Sequence, residues 1–217
     1  MSASAQPYQI AVLVSGSGSN LQALLDAQQA GDLGDAEIVL VVSDRADAYG
    51  LQRALKRRVA AAFIPLRHPR DPAARAAWER RLADVVAAFA PDLIVLAGFM
   101  RVLSPVFLDQ FPNRVINQHP ALLPDDGGDT FVTSRGIVIP ALRGAHVVAD
   151  AIRLGLPVTG CTIHRVTPAV DDGPVLARAE VPVLPGDDEA TLHERIKDVE
   201  HRLIVEVVAR LAREGRQ

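Results

Sequence analysis

The segment Asn117-Gln-His-Pro120 carries the side chains with the clearest capacity for chemistry in this sequence. It closes a short apolar run at residues 115–116, which is typical of a buried strand. Side chains alternate between the two faces of a strand, so Asn117 and His119 are predicted to point the same way. An amide can hold a developing oxyanion while an imidazole moves a proton. Taken alone, the segment is better interpreted as a polar strand end that stops at Pro120, and the catalytic interpretation gains only from two other parts of the chain.

A second candidate is the turn Ser15-Gly-Ser-Gly-Ser-Asn20, between a predicted strand over residues 8–14 and a predicted helix over residues 21–30. Its glycines let backbone N–H groups approach a ligand, and the helix start adds a positive dipole end. The turn lacks the lysine of a Walker loop and the third glycine of the dinucleotide fingerprint, which favours a simple phosphate ester over ATP or NAD. An ordinary turn with a serine N-cap is the alternative that the turn alone leaves open.

The third candidate is Asp171-Asp-Gly-Pro174, which follows a predicted strand over residues 158–166. Asp-Gly-Pro favours a turn, but a carboxylate beside a histidine orients the ring and raises its basicity. The spacing does not decide which of the two aspartates points inward. The sequence has no Gly-x-Ser-x-Gly elbow and no His-Glu-x-x-His pair, which argues against a serine nucleophile and a zinc site. An amide, an imidazole and a carboxylate without a nucleophile suit direct transfer between two bound substrates.

Apolar strands alternate with helical segments along the chain. Strands are predicted over residues 8–14, 37–42, 61–66, 93–96, 115–119, 158–166 and 175–183, and helices over residues 21–30, 49–58, 72–89, 145–154 and 189–213. This alternation predicts an α/β fold with a mostly parallel, twisted sheet and helices on both faces. Such sheets bind ligands beyond the carboxyl ends of their strands, where residues 15–20 and 117–119 both fall.

Composition narrows the class of protein. The chain has 217 residues, a net charge of −3 and one cysteine, Cys161. We expect one domain over residues 8–214, no disulfide framework, and no general attraction to nucleic acid or a membrane surface. The N-terminal residues lack the features of a signal peptide and no apolar run reaches the length of a membrane span, so a cytoplasmic protein is expected. Most of the arginines between residues 53 and 81 fit solvated helix faces.

Together the motifs resemble the phosphoribosylglycinamide formyltransferase family. The resemblance runs from about Gln9 to the last predicted helix, in the family's order and spacing. It rests on Ser15-Gly-Ser-Gly-Ser-Asn-Leu21, Ser43-Asp-Arg-Ala-Asp47, Leu96-Ala-Gly-Phe-Met-Arg-Val-Leu103, Asn117-Gln-His-Pro-Ala-Leu-Leu-Pro124 and Asp171-Asp-Gly-Pro-Val175.

The resemblance implies transfer of a formyl group from 10-formyltetrahydrofolate to the amine of N1-(5-phosphoribosyl)glycinamide in purine (IMP) biosynthesis. It also implies a formyltransferase-like Rossmann-type fold, small-molecule substrates and no metal. It assigns catalysis to Asn117, His119 and Asp171. It assigns ribonucleotide contacts to Gly18, Ser19, Asn20 and Glu200. It assigns folate contacts to Arg75, Met100, Arg101, Val102, Leu103, Asn117, Thr167, Pro168, Ala169 and Val170.

Two features depart from the family pattern. Asp172 stands where the family has the first glycine of Asp-Gly-Gly-Pro. About 16 extra residues, at 125–140, follow Pro124, more than a connecting loop usually needs. Residues prone to form strands on either side of Ser134-Arg-Gly136 predict a β-hairpin there. The hairpin is interpreted either as a flap near the catalytic segment or as a contact of a homodimer, and the sequence leaves the oligomeric state open.

Three rival functions are weighed against this one. A methionyl-tRNA formyltransferase shares the Asn-x-His-Pro core but would carry a basic carboxy-terminal domain for tRNA. A formyltetrahydrofolate hydrolase needs no ribonucleotide site. A nucleotide-binding or sensor domain on the same sheet would need the turn at residues 15–20, but not the convergence of Asn117, His119 and Asp171.

Overall fold

The computed structural model describes residues 6–215 of the chain. The elements within them are β1 (Tyr8–Val14), α1 (Ser19–Ala30), β2 (Ala36–Ser43), α2 (Tyr49–Lys56), β3 (Ala60–Phe63), α3 (Pro72–Ala87), β4 (Leu93–Leu96), α4 (Pro105–Leu108), β5 (Val115–His119), β6 (Thr130–Val132), β7 (Val138–Pro140), α5 (Val147–Arg153), β8 (Val158–Arg165), β9 (Val175–Pro182) and α6 (Glu189–Glu214).

The main sheet has seven strands in the order β3-β2-β1-β4-β5-β8-β9, and β6 pairs with β7 in a second sheet. Parallel pairing joins β1 to β2 and to β4, and β2 to β3. Strand β8 instead pairs antiparallel with β5 and with β9. The prediction of an α/β fold with a mostly parallel sheet is confirmed. The described chain divides into two compact units, unit 1 at residues 6–115 and 208–215 and unit 2 at residues 116–207.

Unit 1 is built on strands that are apolar on both faces. Residues 10–14 of β1 are completely buried, as expected for a parallel strand covered on both sides. Helix α3 contributes the fully buried Trp78 and Leu82 to this core. Its start is fixed by Asp71, whose carboxylate accepts the backbone N–H of Ala73 at 2.9 Å, and by Pro72 at the first helical position.

Several bounds in unit 1 differ by one to three residues from the sequence-based expectation, since α1 begins at Ser19, α2 ends at Lys56 and α3 ends at Ala87. Strand β3 ends at Phe63, three residues before the predicted end, because the last ladder bond is made by the N–H of Ile64 and the following Pro65 has none to offer. The short helix α4 was not predicted. Ser104 caps it by accepting the N–H of Val106 at 3.2 Å.

Unit 2 contains the antiparallel part of the sheet and the inserted hairpin. The register of β5 on β8 places Asn117 opposite His164 and His119 opposite Thr162. The insertion forms the predicted hairpin, with Phe131 of β6 opposite Ile139 of β7. Strand alternation therefore brings two polar side chains of β5 to one face of unit 2.

Candidate active site

In unit 1, the glycine-rich turn leads from β1 into α1, which begins at Ser19. Gly18 is the N-cap residue, with φ 68°, and no side chain caps the helix, so the serine N-cap is not what the structure shows. A Cβ on Gly18 would lie 2.8 Å from the Cα of Gly50, so the left-handed backbone and the close approach both require glycine. The first turn of α1 consequently presents backbone N–H groups and a positive dipole end, which suit an anion.

Helix α2 holds this turn in place. The N–H of Gly50 donates to the carbonyl of Gly16 at 3.1 Å. Arg53 donates from Nε to the carbonyl of Ser17 at 2.8 Å and from Nη1 to Gln22 at 2.8 Å. The sequence predicts solvated helix faces for most arginines between residues 53 and 81, and Arg53 is an exception, because its guanidinium is hydrogen-bonded to the turn.

Also in unit 1, a buried carboxylate organises the predicted folate segment at residues 100–103. Asp44, whose side chain is 1% exposed, accepts Arg101 Nε at 2.7 Å and Ser15 Oγ at 2.6 Å. The N–H of Met100 in turn donates to Ser15 Oγ at 2.9 Å. Because this network holds the segment by its polar groups, the apolar side chains of Met100 and Val102 remain exposed.

The predicted folate contact Arg75 reaches the same segment. Its Nη2 donates to the backbone carbonyl of Val102, and its Nε lies 3.4 Å from the carboxylate of Glu79. Glu79 is buried and accepts the N–H of Ser104 at 2.9 Å. The structure therefore brings together Arg75 and residues 100–103, which lie far apart in the sequence.

In unit 2, His119 is 3% exposed and both of its ring nitrogens have partners. Nε2 lies 2.8 Å from the carbonyl of Leu142, and a carbonyl only accepts, so Nε2 carries a proton. Nδ1 lies 3.4 Å from Oδ2 of Asp171. The ring is thereby fixed with one nitrogen facing the candidate catalytic carboxylate.

Asp171 is held by the main chain around it. Its Oδ2 accepts the N–H of Gly144 at 2.9 Å. Its own φ is 52°, a left-handed conformation that aspartate tolerates better than most residues. A Cβ on Gly173 would lie 1.8 Å from the carbonyl oxygen of Arg165, so the turn passes too close to β8 for any other residue there.

The two adjacent aspartates, which the sequence could not separate by spacing, have different surroundings. Asp171 faces His119, whereas the side chain of Asp172 is 42% exposed and its carboxylate lies 4.0 Å from Arg143. This geometry supports the assignment of the catalytic role to Asp171.

His164 is a site residue that the sequence interpretation did not select. Its Nδ1 donates to the carbonyl of Arg165 at 2.9 Å, so in the neutral ring Nε2 accepts the amide N–H of Asn117 at 3.2 Å. The same Nε2 lies 3.6 Å from Oδ1 of Asp171. The available signal was its position on a strand just ahead of the Asp171 turn, but only the register of β8 on β5 places it beside Asn117.

Burial and charge oppose each other in this cluster. Burial lowers the pKa of His119 below its usual value, although the carboxylate of Asp171 and the carbonyl of Leu142 act the other way. Burial raises the pKa of Asp171, but the neighbouring His164 and His119 rings and the N–H of Gly144 outweigh it and lower that pKa. At neutral pH an ionised carboxylate therefore stands beside a neutral imidazole.

The remaining predicted contacts of unit 2 lie on α6 and on the loop before Asp171. Glu200 of α6 is 2% exposed and accepts a hydrogen bond from the amide of Gln118. In the loop, Thr167 Oγ1 donates to the carbonyl of Ala169 at 3.2 Å, and Val170 is exposed. Glu200 thus contacts the residue between Asn117 and His119.

Among residues 6–215, no group of three or more histidine, cysteine, aspartate or glutamate side chains is arranged to hold a metal ion. Over the same residues, no helix is long and apolar enough to cross a membrane.

Comparison with known proteins gives a consistent result. The formyl transferase family model matches residues 8–208. Phosphoribosylglycinamide formyltransferase of Mycobacterium tuberculosis is 44% identical over 211 residues, which cover 96% of this chain and 87% of the relative. The enzyme of the same name from Escherichia coli K12 is 36% identical over 200 residues, covering 92% of this chain and 85% of the relative.

Solved structures agree with these sequences. The crystal structure of glycinamide ribonucleotide transformylase 1 from Symbiobacterium toebii has a TM-score of 0.84 at 38% identity, covering 100% of this chain and 92% of that one. Phosphoribosylglycinamide formyltransferase from Coxiella burnetii has a TM-score of 0.80 at 36% identity, covering 96% and 88%. The chain therefore belongs to the formyl transferase family, and the resemblance to phosphoribosylglycinamide formyltransferases predicted from its motifs is confirmed.

Proposed function

We propose that this chain transfers the formyl group of 10-formyltetrahydrofolate to the amine of N1-(5-phosphoribosyl)glycinamide in de novo IMP synthesis, with Asn117, His119 and Asp171 as catalytic residues. The observation that carries the proposal is the carboxylate of Asp171, held 3.4 Å from Nδ1 of His119. Family membership supports the reaction, and this geometry supports the roles of the residues.

The reaction needs an oxyanion partner. The amine nitrogen attacks the formyl carbon, and the carbonyl oxygen gains negative charge before the bond from that carbon to the folate N10 breaks. A preorganised N–H donor at that oxygen lowers the barrier. Asn117 fits this role because its amide has two N–H hydrogens and the hydrogen bond to His164 fixes its orientation with one of them.

The reaction also needs a group that takes up and returns one proton. The attacking amine loses a proton and the leaving N10 gains one. Because Nε2 of His119 already donates to the Leu142 carbonyl, Nδ1 is the nitrogen that takes up the proton, beside Oδ2 of Asp171. The lowered pKa of His119 suits this work, because the neutral ring can accept a proton that the adjacent carboxylate stabilises.

The ribonucleotide is assigned to the turn of unit 1 and to α6. Gly18, Ser19 and Asn20 form the start of α1, where backbone N–H groups and the helix dipole favour a phosphate. Glu200 is a buried carboxylate, suited to accept hydrogen bonds from ribose hydroxyls.

The folate donor is assigned to two sets of residues. In unit 1, Arg75 and residues 100–103 combine a guanidinium with the exposed apolar side chains of Met100 and Val102, which suits a ring system with a carboxylate tail. In unit 2, Asn117 and residues 167–170 are assigned as further folate contacts.

The cellular setting follows from the same chemistry. The substrates are small molecules, and neither nucleic acid nor a membrane takes part. We assign the reaction to the cytoplasm and to one formyltransferase domain over residues 8–214, with the insertion at residues 125–140. A homodimer stays a prediction, which the molecular mass by light scattering tests.

A formyl-transfer assay with both substrates tests this function. We expect formylated ribonucleotide and tetrahydrofolate to form in equal amounts, and no formate to be released when the ribonucleotide is omitted. Release of formate at the same rate without the ribonucleotide would instead identify a hydrolase. A thermal-shift panel of glycinamide ribonucleotide, AMP, NAD and a folate analogue separates the enzyme from a nucleotide sensor, which would respond to AMP or NAD and not to the folate.

A further inference from the structure

Three consecutive residues just after the insertion contact the catalytic pair. The carbonyl of Leu142 accepts Nε2 of His119 at 2.8 Å. The Nε of Arg143 donates to the backbone carbonyl of Asp171 at 3.2 Å. The N–H of Gly144 donates to the carboxylate of Asp171 at 2.9 Å. Residues 142–144 therefore fix both members of the pair.

Arg143 also holds the beginning of the insertion. Its Nη2 donates to the carbonyls of Gly127 at 3.0 Å and Gly128 at 2.9 Å. The side chain is only 24% exposed, so these hydrogen bonds are partly shielded from water. One guanidinium thus joins the inserted segment to the backbone of the candidate catalytic residue, which a planar group with several donors can do and a lysine cannot.

The position that Arg143 contacts is one where the backbone needs support. Asp171 is the one residue of the candidate trio with a positive φ, at 52°. A residue held in this sparsely populated region stays there only when its surroundings fix it. A hydrogen bond to the Asp171 carbonyl restrains the peptide plane and, with it, the direction of the carboxylate toward His119.

A separate set of contacts anchors the hairpin without touching Asp171. Arg178 of β9 pairs with Asp125 and lies over the ring of Phe131 at 5.2 Å. The N–H and Oγ of Ser134 donate to the carboxylate of Glu180 at 2.5 and 2.8 Å. Loss of Arg178 would therefore loosen the insertion while leaving the contact with Asp171 intact.

We propose that Arg143 is a positioning residue for catalysis, which couples the inserted segment at residues 125–140 to the backbone of Asp171. The inference rests on the proposed function for its kinetic consequence, but the geometric effect does not depend on it.

The test compares Arg143→Ala and Arg143→Lys with the matched control Arg178→Ala. We expect both Arg143 variants to lower kcat by about 10- to 100-fold at a nearly unchanged KM for the ribonucleotide, as a displaced catalytic group does. Arg178→Ala should stay within about twofold of the wild type. Arg143→Lys keeps the charge with a smaller structural change, so it decides the question if Arg143→Ala does not fold.

An NMR titration of His119 gives a readout that does not need activity. The titratable or charged groups around its ring are Asp171, His164 and Arg143, and Arg143 in turn lies near Asp129 and Asp172. The lowering of the His119 midpoint by Asp171→Asn should be smaller in the Arg143→Ala background than in the wild type, because the carboxylate is no longer held beside Nδ1, and it should be full-sized in the Arg178→Ala background. Wild-type kcat in both Arg143 variants, or an equal loss in Arg178→Ala, would overturn the inference. If the wild type shows no formyl transfer but loss of Arg143 still weakens the effect of Asp171 on the His119 midpoint, the proposed function fails and the positioning role stands.

Discussion

Oδ2 of Asp171 lies 3.4 Å from Nδ1 of His119, although one residue belongs to a loop and the other to the end of β5. The pair is mostly buried, and the ring is turned toward the carboxylate by its second hydrogen bond, to the carbonyl of Leu142. Burial favours the neutral forms of both groups, while their mutual attraction favours the charged forms. The protonation of this pair is therefore the property on which the proposed chemistry depends.

His119 should titrate below the ordinary histidine value of 6.5, because burial lowers its pKa. In an NMR pH titration we expect its midpoint below 6.5, and lower still in Asp171→Asn, since the carboxylate raises the pKa. Between the native and unfolded pKa values the unfolded chain binds the proton and the native protein does not, so this residue lowers the free energy of unfolding as the pH falls through that window. A midpoint at or above 6.5 would contradict this account of the site.

The turn at the start of α1 should tolerate substitution unequally. Ser19→Glu puts an anion where we place the phosphate, so KM should rise strongly for the ribonucleotide and little for the folate. Gly18→Ala should destabilise the protein by at least about 1–2 kcal/mol, because it combines a left-handed φ with a clash against Gly50. Gly16→Ala is the matched control, since a Cβ there meets nothing within 4 Å. Equal KM changes for both substrates in Ser19→Glu would argue against the phosphate assignment.

Cys161 should be chemically inert in the native protein. Burial, followed by the nearby Glu200, raises the pKa of its thiol to about 12, so the thiolate fraction at pH 8 is on the order of 10⁻⁴. Titration with a thiol reagent should show no fast reaction until a denaturant is added, and then one equivalent. Rapid labelling of the native protein would show that β8 opens readily.

Deletion of residues 125–139 tests the insertion as a whole. Because the carbonyls of Gly127 and Gly128 are hydrogen-bonded to Arg143, we expect a lower kcat at an unchanged molecular mass by light scattering. A smaller mass with normal kinetics would assign the segment to a subunit contact instead. No change in either would exclude both roles.

Much of the fold could be predicted from sequence, because strands that are buried on both faces consist of continuous apolar residues. The predicted bounds of β4 and β5 match the structure. The point at which a proline ends a strand was harder to predict, as at Pro65. Helix α4 is too short to show a helical pattern in the sequence. The antiparallel pairing of β8 with β5 and β9 depends on long-range contacts that no local pattern encodes.

Some residues of the candidate site could likewise be predicted from sequence, and others could not. Asn117 and His119 could be paired from sequence because a strand has a fixed period of two. The choice of Asp171 over Asp172 rested on family resemblance, and the distance to His119 now supports it independently. His164 and Arg143 were missed because their roles arise from strand register and from a loop that returns to the site.

The most direct test is the rate of formyl transfer by Asp171→Asn beside Asp172→Asn, with Asn117→Ala and His119→Ala in the same assay. Loss of a proton-transfer group or an oxyanion donor should lower kcat by about 10²–10⁴-fold in Asp171→Asn, Asn117→Ala and His119→Ala. Asp172→Asn should remain close to the wild type, because its carboxylate is 42% exposed and lies 4.0 Å from Arg143. Near-normal turnover by a folded Asp171→Asn variant, with loss of activity in Asp172→Asn, would contradict the central claim.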